Sequence, residues 1–290
     1  MEVKGVDLSN HNSGLTIKKV KEAGYDFAIL RGGYTGYGST RPKNVDKMFE
    51  TYYKEAKELG FPIGCYYYSC ANNRAGGIAE ADYLYRNCLK GKQFEYPIYI
   101  DIEDTHWQLN NKAGVTDAII GFCSTLENLG YWVGIYSNPE WFNNYIETER
   151  LTKYTKWVAR WSSKKPTFNY NAFDMWQNTA TLKISGYTVD GDICYRDFPT
   201  LIKARGLNGF PPPNANIIET GDTVKFASGK VKYTNGKSVP AWVRLLKWEV
   251  EEADPKKDYV LINQCATNAK IKIGSLVPRE FLTIVKKHRI

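Results

Sequence analysis

The stretch IYIDIEDTH, residues 98–106, ends an apolar strand pattern in a group of three carboxylates. Side chains alternate across a strand, so Asp101 and Glu103 are predicted to point to one face and Ile102 to the other. At about 3.3 Å per residue, the two acids lie roughly 7 Å apart along the strand. Like charges at that separation resist joint ionisation, so one carboxyl is expected to stay protonated while the other is charged.

Strand and helix patterns alternate on both sides of this stretch, through residue 205. Eight apolar runs are predicted to be strands, near residues 3–6, 27–30, 62–68, 97–102, 131–136, 157–161, 173–176 and 181–189. Alternating units of this kind are typical of a parallel α/β sheet, and eight strands favour a closed, TIM-like barrel. Helical patterns become sparse after residue 150, so an irregular barrel is expected. An open doubly wound sheet is the alternative, although no glycine-rich nucleotide motif supports it.

The sequence GLNGFPPPNAN, residues 206–216, interrupts this alternation. Three consecutive prolines between Gly and Asn residues predict a stiff linker. Short β-like runs separated by turn signals follow it. The predicted organisation is therefore a barrel over residues 1–205, a linker over 206–216, and a small, mostly β domain over 217–290.

The net charge of +8 is concentrated in the last domain. Residues 215–290 hold 14 Lys and Arg against 8 Asp and Glu, which favours a polyanionic partner or simple solubility. Wall polymers, anionic membranes and nucleic acid all fit the charge, but nothing in the first domain points to nucleic acid. No apolar run of about 18 residues predicts a membrane span, and the N-terminus lacks the apolar segment of a signal peptide.

Metal, redox and serine-hydrolase chemistry find little support in the sequence. Six cysteines are irregularly spaced without a C-x-x-C pair, and only three histidines are present. No G-x-S-x-G motif occurs. We expect no cofactor and no metal, with a Mg²⁺ or Ca²⁺ site in the carboxylate cluster as the alternative.

Acidic, aromatic and amide side chains recur at the ends of other predicted strands. Asp7 ends the first strand, and Asp190 and Asp192 lie near the last one. Because the carboxyl ends of parallel strands meet at one mouth of a barrel, these groups are predicted to line one site. Taken singly, such an Asp is as readily a helix or turn cap. Aromatic rings and amides around carboxylates suit a sugar ligand, and the predicted binding residues are Tyr66, Tyr68, Tyr136, Asn138, Trp176 and Gln177.

Four segments together resemble the family-25 glycoside hydrolases, which are lysozyme-type muramidases common among phage endolysins and bacterial autolysins. The segments are GVDLSNHN at 5–12, YIDIE at 99–103, MWQ at 175–177 and VDGD at 189–192. The resemblance implies an irregular (β/α) barrel that cleaves the β-1,4 bond between N-acetylmuramic acid and N-acetylglucosamine in peptidoglycan. More loosely, YTNGKSVPAWV at 233–243 resembles SH3-like wall-binding modules of endolysins.

The resemblance also implies roles for the acids. Glu103 is the expected proton donor, Asp101 its partner, and Asp7 and Asp190 complete an acidic ring. Family members often have Asp-x-Asn where this chain has Asp190-Gly-Asp192, so Asp192 is the alternative to Asp190. Substrate assistance by the 2-acetamido group, with net retention, is the favoured mechanism.

A non-catalytic carbohydrate-binding protein on the same scaffold is the alternative function. For the enzyme, we expect synthesis in a bacterial cytoplasm and action on the wall after release, by a holin-type route if the chain is phage-encoded. The sequence leaves the target species, the ligand of the last domain and the oligomeric state undetermined.

Overall fold

A computed structural model of the chain describes residues 2–211, 217–254, 256–286 and 288. The chain divides into two compact units, residues 1–210 and 211–290. Five residues of the predicted linker, 212–216, lie outside the described residues. Residues 206–210 belong to the first unit, which therefore extends five residues beyond the predicted end of the barrel domain.

The first unit alternates strands and helices. Its described strands are β1 (Val3–Leu8), β2 (Phe27–Thr35), β3 (Lys43–Val45), β4 (Ile63–Tyr68), β5 (Ile98–Asp101), β6 (Val133–Ser137), β7 (Thr155–Ala159), β8 (Met175–Ile184) and β9 (Tyr187–Cys194). Its α-helices are α1 (Ile17–Glu22), α2 (Phe49–Glu58), α3 (Arg74–Leu84), α4 (Lys112–Asn128), α5 (Pro139–Asn144) and α6 (Phe198–Ala204).

Eight of these strands form a closed barrel in the order β1-β2-β4-β5-β6-β7-β8-β9, because β1 pairs with both β2 and β9. The predicted closed barrel is confirmed, and β3 adds only a short antiparallel ribbon to β2. Neighbouring strands run parallel from β1 to β8, whereas β9 runs antiparallel to both β8 and β1. No helix separates β7 from β8, in keeping with the expected irregular last third.

The prediction of a single last strand over residues 181–189 is wrong. A two-residue turn at Ser185 and Gly186 divides this segment between β8 and β9, and both residues have positive φ angles, 49° and 85°. Such a turn matches the twist of an antiparallel hairpin, so the chain reverses here instead of crossing over through a helix.

Strand alternation sorts the side chains of the barrel into two layers. The outward-facing Ile100 and Ile135 pack with Phe122 of α4 in the core between strands and helices. The inward-facing Tyr99 and Trp157 belong to a second cluster that fills the barrel interior. Packed side chains therefore fill the barrel interior below the level of the carboxylates.

Asn208 closes the base of the barrel unit. Its side chain is fully buried, accepts from the backbone N–H of Trp132 at 2.7 Å and donates to the carbonyl of Tyr96 at 2.8 Å. Its own backbone joins Gly130 and Phe94 through two further hydrogen bonds. These contacts explain why residues 206–210 belong to the barrel unit and not to the linker.

The second unit is a small antiparallel β domain, as predicted. Its strands are β10 (Thr223–Phe226), β11 (Lys247–Glu252), β12 (Tyr259–Cys265), β13 (Asn268–Pro278) and β14 (Leu282–Lys286), in the order β13-β12-β11-β10-β14, with one short helix, α7 (Ala241–Arg244). Trp248 is fully buried in its core, whereas Trp242 is 52% exposed. The SH3-like assignment stays a prediction. None of the described helices in either unit is long and apolar enough to cross a membrane.

Candidate active site

The predicted acids converge at the mouth where the parallel strands end. Asp101 is the last residue of β5, and Glu103 follows two positions later on the same face, while Ile102 packs in the outer core. Asp7 lies near the end of β1, and its register partner on β9 is Asp190. Charge repulsion links Glu103 to both Asp190 and Asp101, which places these carboxyls close together.

The acids of β9 reach this mouth in an unexpected way. If the last strand were parallel to its neighbours, acids at the mouth would lie at its carboxyl end. Because β9 is antiparallel, its amino-terminal half lies at the mouth, and Asp190 is the fourth of its eight residues. Asp192 lies one layer deeper, opposite Gly5, and is 2% exposed.

Gln177 connects the carboxyls to the aromatic side chains of the mouth. Its amide nitrogen donates to Oδ2 of Asp7 at 2.8 Å and, more weakly, to Oδ2 of Asp190 at 3.5 Å. Its amide oxygen accepts from the hydroxyl of Tyr136 and the indole N–H of Trp161, both at 3.0 Å. The buried Gln177 therefore fixes the positions of two acids and two rings, which is a positioning role.

Trp157 fixes the position of Asp192, the deeper acid. Its indole N–H donates to Oδ1 of Asp192 at 2.8 Å, and its ring packs against Tyr136 with centroids 4.4 Å apart. Desolvation and then the charge of Asp7 hold the pKa of Asp192 well above its usual range. Both Asp190 and Asp192 act on the carboxyl of Asp7, and Asp190 is half-buried at the mouth whereas Asp192 is buried.

Burial raises the pKa of every acid in the cluster. Desolvation, followed by the charge of Asp190, raises the pKa of Asp7 to about 8. The same two causes, in the same order, raise the pKa of Glu103. Desolvation and then the charge of Glu103 hold the pKa of Asp101 well above its usual range. Asp7 is therefore largely protonated at neutral pH, and the other carboxyls keep their protons to higher pH than exposed acids do, as a site that donates protons requires.

Asp101 has an unsatisfied oxygen. Its Oδ1 is buried and receives no hydrogen bond from the described residues. Arg31 on β2 is the cation whose charge lowers the pKa of Asp101. The guanidinium of Arg31 is held by Oδ2 of Asp46 at 2.7 Å and by the side chain of Asn10. The sequence analysis missed Arg31, although a charged residue inside the apolar run FAILRGG was a signal.

The predicted aromatic and amide residues divide into two groups. Tyr66 and Tyr136 face the acids: desolvation and then the nearest carboxyl charge raise the pKa of each hydroxyl, Asp7 for Tyr66 and Glu103 for Tyr136. Tyr68 lies further out, where its hydroxyl contacts that of Tyr37 at 2.8 Å. Asn138 caps α5, because its Oδ1 accepts from the N–H of Trp141 at 3.1 Å.

The prediction that Trp176 lines the site is wrong. It neighbours Gln177 on β8, and adjacent strand residues point to opposite faces. Gln177 points inward, so Trp176 points outward, where its indole N–H donates to the carbonyl of Arg160 at 2.8 Å.

Exposed aromatic side chains surround the mouth, and the sequence analysis had not singled them out. Tyr37, Trp107 and Trp161 are 55%, 40% and 65% exposed and follow β2, β5 and β7. Tyr37 lies against the ring of His106 with centroids 4.7 Å apart. Loops after parallel strands face the mouth of a barrel, so these rings form an aromatic rim, a surface on which the apolar faces of sugars stack.

Metal ligation was the alternative use of this cluster. Across residues 2–211, 217–254, 256–286 and 288, no group of three or more His, Cys, Asp or Glu side chains is arranged to hold a metal ion.

Comparison with known proteins identifies the scaffold. The profile of Glycosyl hydrolases family 25 matches residues 6–187, a span that includes Asp7, Asp101 and Glu103 and ends before Asp190. Probable GH family 25 lysozyme 4 of Dictyostelium discoideum is 26% identical over 193 residues, 66% of this chain and 85% of that relative.

Two further proteins resemble the chain over a similar span. The Autolytic lysozyme of Clostridium acetobutylicum is 24% identical over 63% of this chain, which spans about half of that protein, 53%. The crystal structure of the CTP1L endolysin superposes with a TM-score of 0.60 over 70% of each chain at 23% identity. The family match covers more than half of the chain, and the chain belongs to glycosyl hydrolase family 25.

Proposed function

From this family membership, we propose that the protein is a lysozyme that hydrolyses peptidoglycan at the β-1,4 bond between N-acetylmuramic acid and N-acetylglucosamine. The observation that carries the proposal is the pair of partly and fully buried acids, Glu103 and Asp101, on one strand end within the aromatic rim. Two carboxyls with raised pKa values, flanked by stacking rings, supply what glycoside hydrolysis needs.

Glu103 is the proton donor in this proposal. Its side chain is half-buried, so it reaches a bound glycan, and burial and the charge of Asp190 raise its pKa, so it stays protonated to higher pH than an exposed glutamate. Donation to the glycosidic oxygen leaves Glu103 as a carboxylate, which then activates a water molecule.

Asp101 stabilises the reacting sugar. Its unsatisfied Oδ1 is positioned to accept the N–H of a 2-acetamido group, whose carbonyl oxygen then attacks the anomeric carbon. The charge of Arg31 opposes the rise in the pKa of Asp101 that burial and the charge of Glu103 cause, and so favours the carboxylate that this role requires. Attack by the acetamido group, followed by attack of water from the opposite face, gives net retention.

One experiment tests both the activity and the mechanism. Purified peptidoglycan is digested, the new reducing sugar is identified, and the anomer formed first is read by NMR. The proposal predicts new reducing ends at muramic acid and the β-anomer at early times. New reducing ends at glucosamine would contradict the bond assignment, and an initial α-anomer would contradict the acetamido route. The absence of any reducing-sugar release would favour the alternative, a carbohydrate-binding protein without activity.

We also propose that the second unit targets the enzyme to the cell wall. Its basic surplus suits wall anions, and the exposed Trp242 offers a stacking surface next to the buried Trp248, with ring centroids 6.5 Å apart. Binding to an insoluble substrate raises the local enzyme concentration.

Sedimentation of the full chain with purified walls tests this targeting. Trp242→Ala should weaken binding, whereas Trp161→Ala, a control of equal size on the barrel, should alter turnover more than sedimentation. Undiminished binding of the Trp242 variant, or displacement by DNA at equal charge, would contradict wall targeting through this surface.

A further inference from the structure

A cavity of about 440 Å³ opens at the base of the barrel, where the parallel strands begin. We call it the basal cavity; its lining residues include the starts of β6, β7 and β8, namely Val133, Thr155, Lys156 and the preceding Trp132 and Asp174. Along β7, the base and the mouth are separated by roughly 13 Å at about 3.3 Å per residue. The basal cavity is therefore distinct from the carboxylate site.

Basic side chains outnumber acids in the lining. Lys153 pairs with Glu127 at 2.7 Å, and Arg196 pairs with Asp174 at 3.2 Å. The two remaining cations, Lys156 and Arg205, form no ion pair with any described residue. The lining of the cavity therefore holds two more cations than acids.

Lys156 is the more unusual of these two cations because its residue is only 2% exposed. Its ammonium donates two long hydrogen bonds, to the carbonyls of Leu151 at 3.5 Å and Tyr154 at 3.4 Å. A third N–H remains without a partner among the described residues. Burial lowers the pKa of Lys156, which shows that the charged form is poorly solvated there. An anion bound in the cavity would offset that cost.

Trp132 orders the arginine side chains. The guanidinium of Arg196 lies 4.9 Å from its ring centroid and that of Arg205 lies 4.8 Å away. Stacking on an indole holds a guanidinium in place and leaves its N–H groups free to donate. Planar, ordered guanidinium groups match the geometry of phosphate oxygens.

The rest of the lining indicates that the anion carries a hydroxylated group. A cavity of this volume exceeds what a single phosphate needs and falls in the range of small-ligand sites. Glu127, Asp174 and Thr152 also line it, and carboxylates repel a bare anion but accept hydrogen bonds from hydroxyls. We propose that the basal cavity binds a phosphate ester of a small polyol or sugar, with Lys156 and Arg205 holding the phosphate.

Calorimetric titration of the full chain at low salt tests this site. The probes are glycerol 3-phosphate, a glycerol-phosphate oligomer and inorganic phosphate. Arg205→Gln should weaken binding of both esters by about tenfold, because hydrogen bonds to charged groups contribute that much. Arg86→Gln, at an exposed arginine outside the cavity, should leave binding within about twofold. Hydrolysis of peptidoglycan by the Arg205 variant should be unchanged.

The two ester probes separate the sources of the phosphate. Tighter binding of the oligomer, per phosphate, identifies a wall polymer, and equal binding identifies a free phosphorylated metabolite. Lys156→Met should abolish binding in a variant whose melting temperature shows that it folds; if it does not fold, the Arg205 result stands alone. No binding of either ester, unaltered binding in the Arg205 variant, or equally tight binding of inorganic phosphate would overturn the proposal.

Discussion

Two buried carboxyl groups of the barrel unit are held in opposite ways. Glu80, on α3, accepts hydrogen bonds from the hydroxyls of Thr35 at 2.6 Å and Ser69 at 2.5 Å and from the N–H of Cys70 at 3.2 Å. Asp101, at the mouth, is equally buried but has an oxygen with no donor among the described residues. Buried polar groups are normally hydrogen-bonded, so the second arrangement requires an explanation.

The surroundings of Glu80 and Asp101 explain the difference. Burial raises the pKa of both, but at Glu80 three hydrogen bonds counteract it, whereas at Asp101 the charges of Glu103 and Asp7 add to it. Glu80 stabilises the fold because its partners are part of the protein. Asp101 lacks such partners and is left for a ligand. The comparison teaches that burial alone does not identify a functional acid, because the hydrogen-bond partners of the buried carboxyl must be known as well.

The largest expected effect is at Glu103, beside Asp101. Glu103→Gln should reduce reducing-sugar release by about 10³-fold, since the amide cannot donate the proton. The melting temperature should not fall, because a neutral side chain replaces a poorly solvated one. Glu58→Gln, on the exposed side of α2, is the matched control and should keep full activity. Near-normal turnover in the Glu103 variant would show that another residue is the proton donor.

Asp101→Asn tests directly whether Asp101, the carboxyl at the mouth, has a functional role. We expect a loss of about 10²-fold in kcat with little change in KM, because the amide loses the negative charge that stabilises the transition state. The free energy of unfolding, from urea denaturation, should stay constant or rise. A fall in stability with unchanged kcat would show that Asp101 is structural, like Glu80.

Glu80→Gln should have the converse effect. The amide replaces one of the two acceptor oxygens by an NH2 group, which should lower the free energy of unfolding by about 1–3 kcal/mol. Turnover per folded molecule should remain normal at a temperature well below the transition. Reduced kcat without a loss of stability would contradict a purely structural role for Glu80.

Asp7→Asn tests how far the buried carboxyl of Asp7 lowers the stability of the folded protein. Because the pKa of Asp7 is about 8 in the folded protein and near 3.8 when unfolded, the unfolded chain releases its proton first. The stability of the wild type should therefore fall as pH rises from about 4 to 8. The variant should be more stable by about 1 kcal/mol at pH 7, with a flatter pH dependence. Parallel stability curves for the two proteins would contradict the raised pKa.

Asp190→Asn should give the smallest change, a shift in a pH profile. The charge of Asp190 raises the pKa of Glu103, so its removal should lower that pKa. The alkaline limb of kcat/KM should then move to lower pH. Asp82→Asn, on the exposed surface of α3, should leave the profile unchanged. A shift in the opposite direction would mean that Glu103 does not control this limb.

Local patterns in the sequence were sufficient for part of this architecture. The i, i+2 rule placed Asp101 and Glu103 on one face, and the count of apolar runs predicted a closed barrel. The same rule, applied to adjacent residues, would have excluded Trp176 once Gln177 was assigned to the interior. The turn at Ser185 and Gly186 was also a recognisable hairpin signal.

Other features depend on contacts between residues far apart in sequence. The three donors of Glu80 come from two strand ends, and Asp192 depends on Trp157, 35 positions earlier. Arg31 on β2 acts on Asp101 on β5, although β4 lies between these two strands. No local pattern encodes such pairs, so the sequence showed which acids were present but not which of them were satisfied.

The buried Asn208 has a mechanical consequence. Four hydrogen bonds tie this residue to Phe94, Tyr96, Gly130 and Trp132, all in the segments that lead into β5 and β6. A pull exerted on the chain beyond residue 211, such as that of a tail fixed to a solid support, would reach the barrel through the contacts of Gly209, Phe210 and Asn208. The force would enter the barrel at the starts of its strands and leave the reacting groups at their far ends undisturbed.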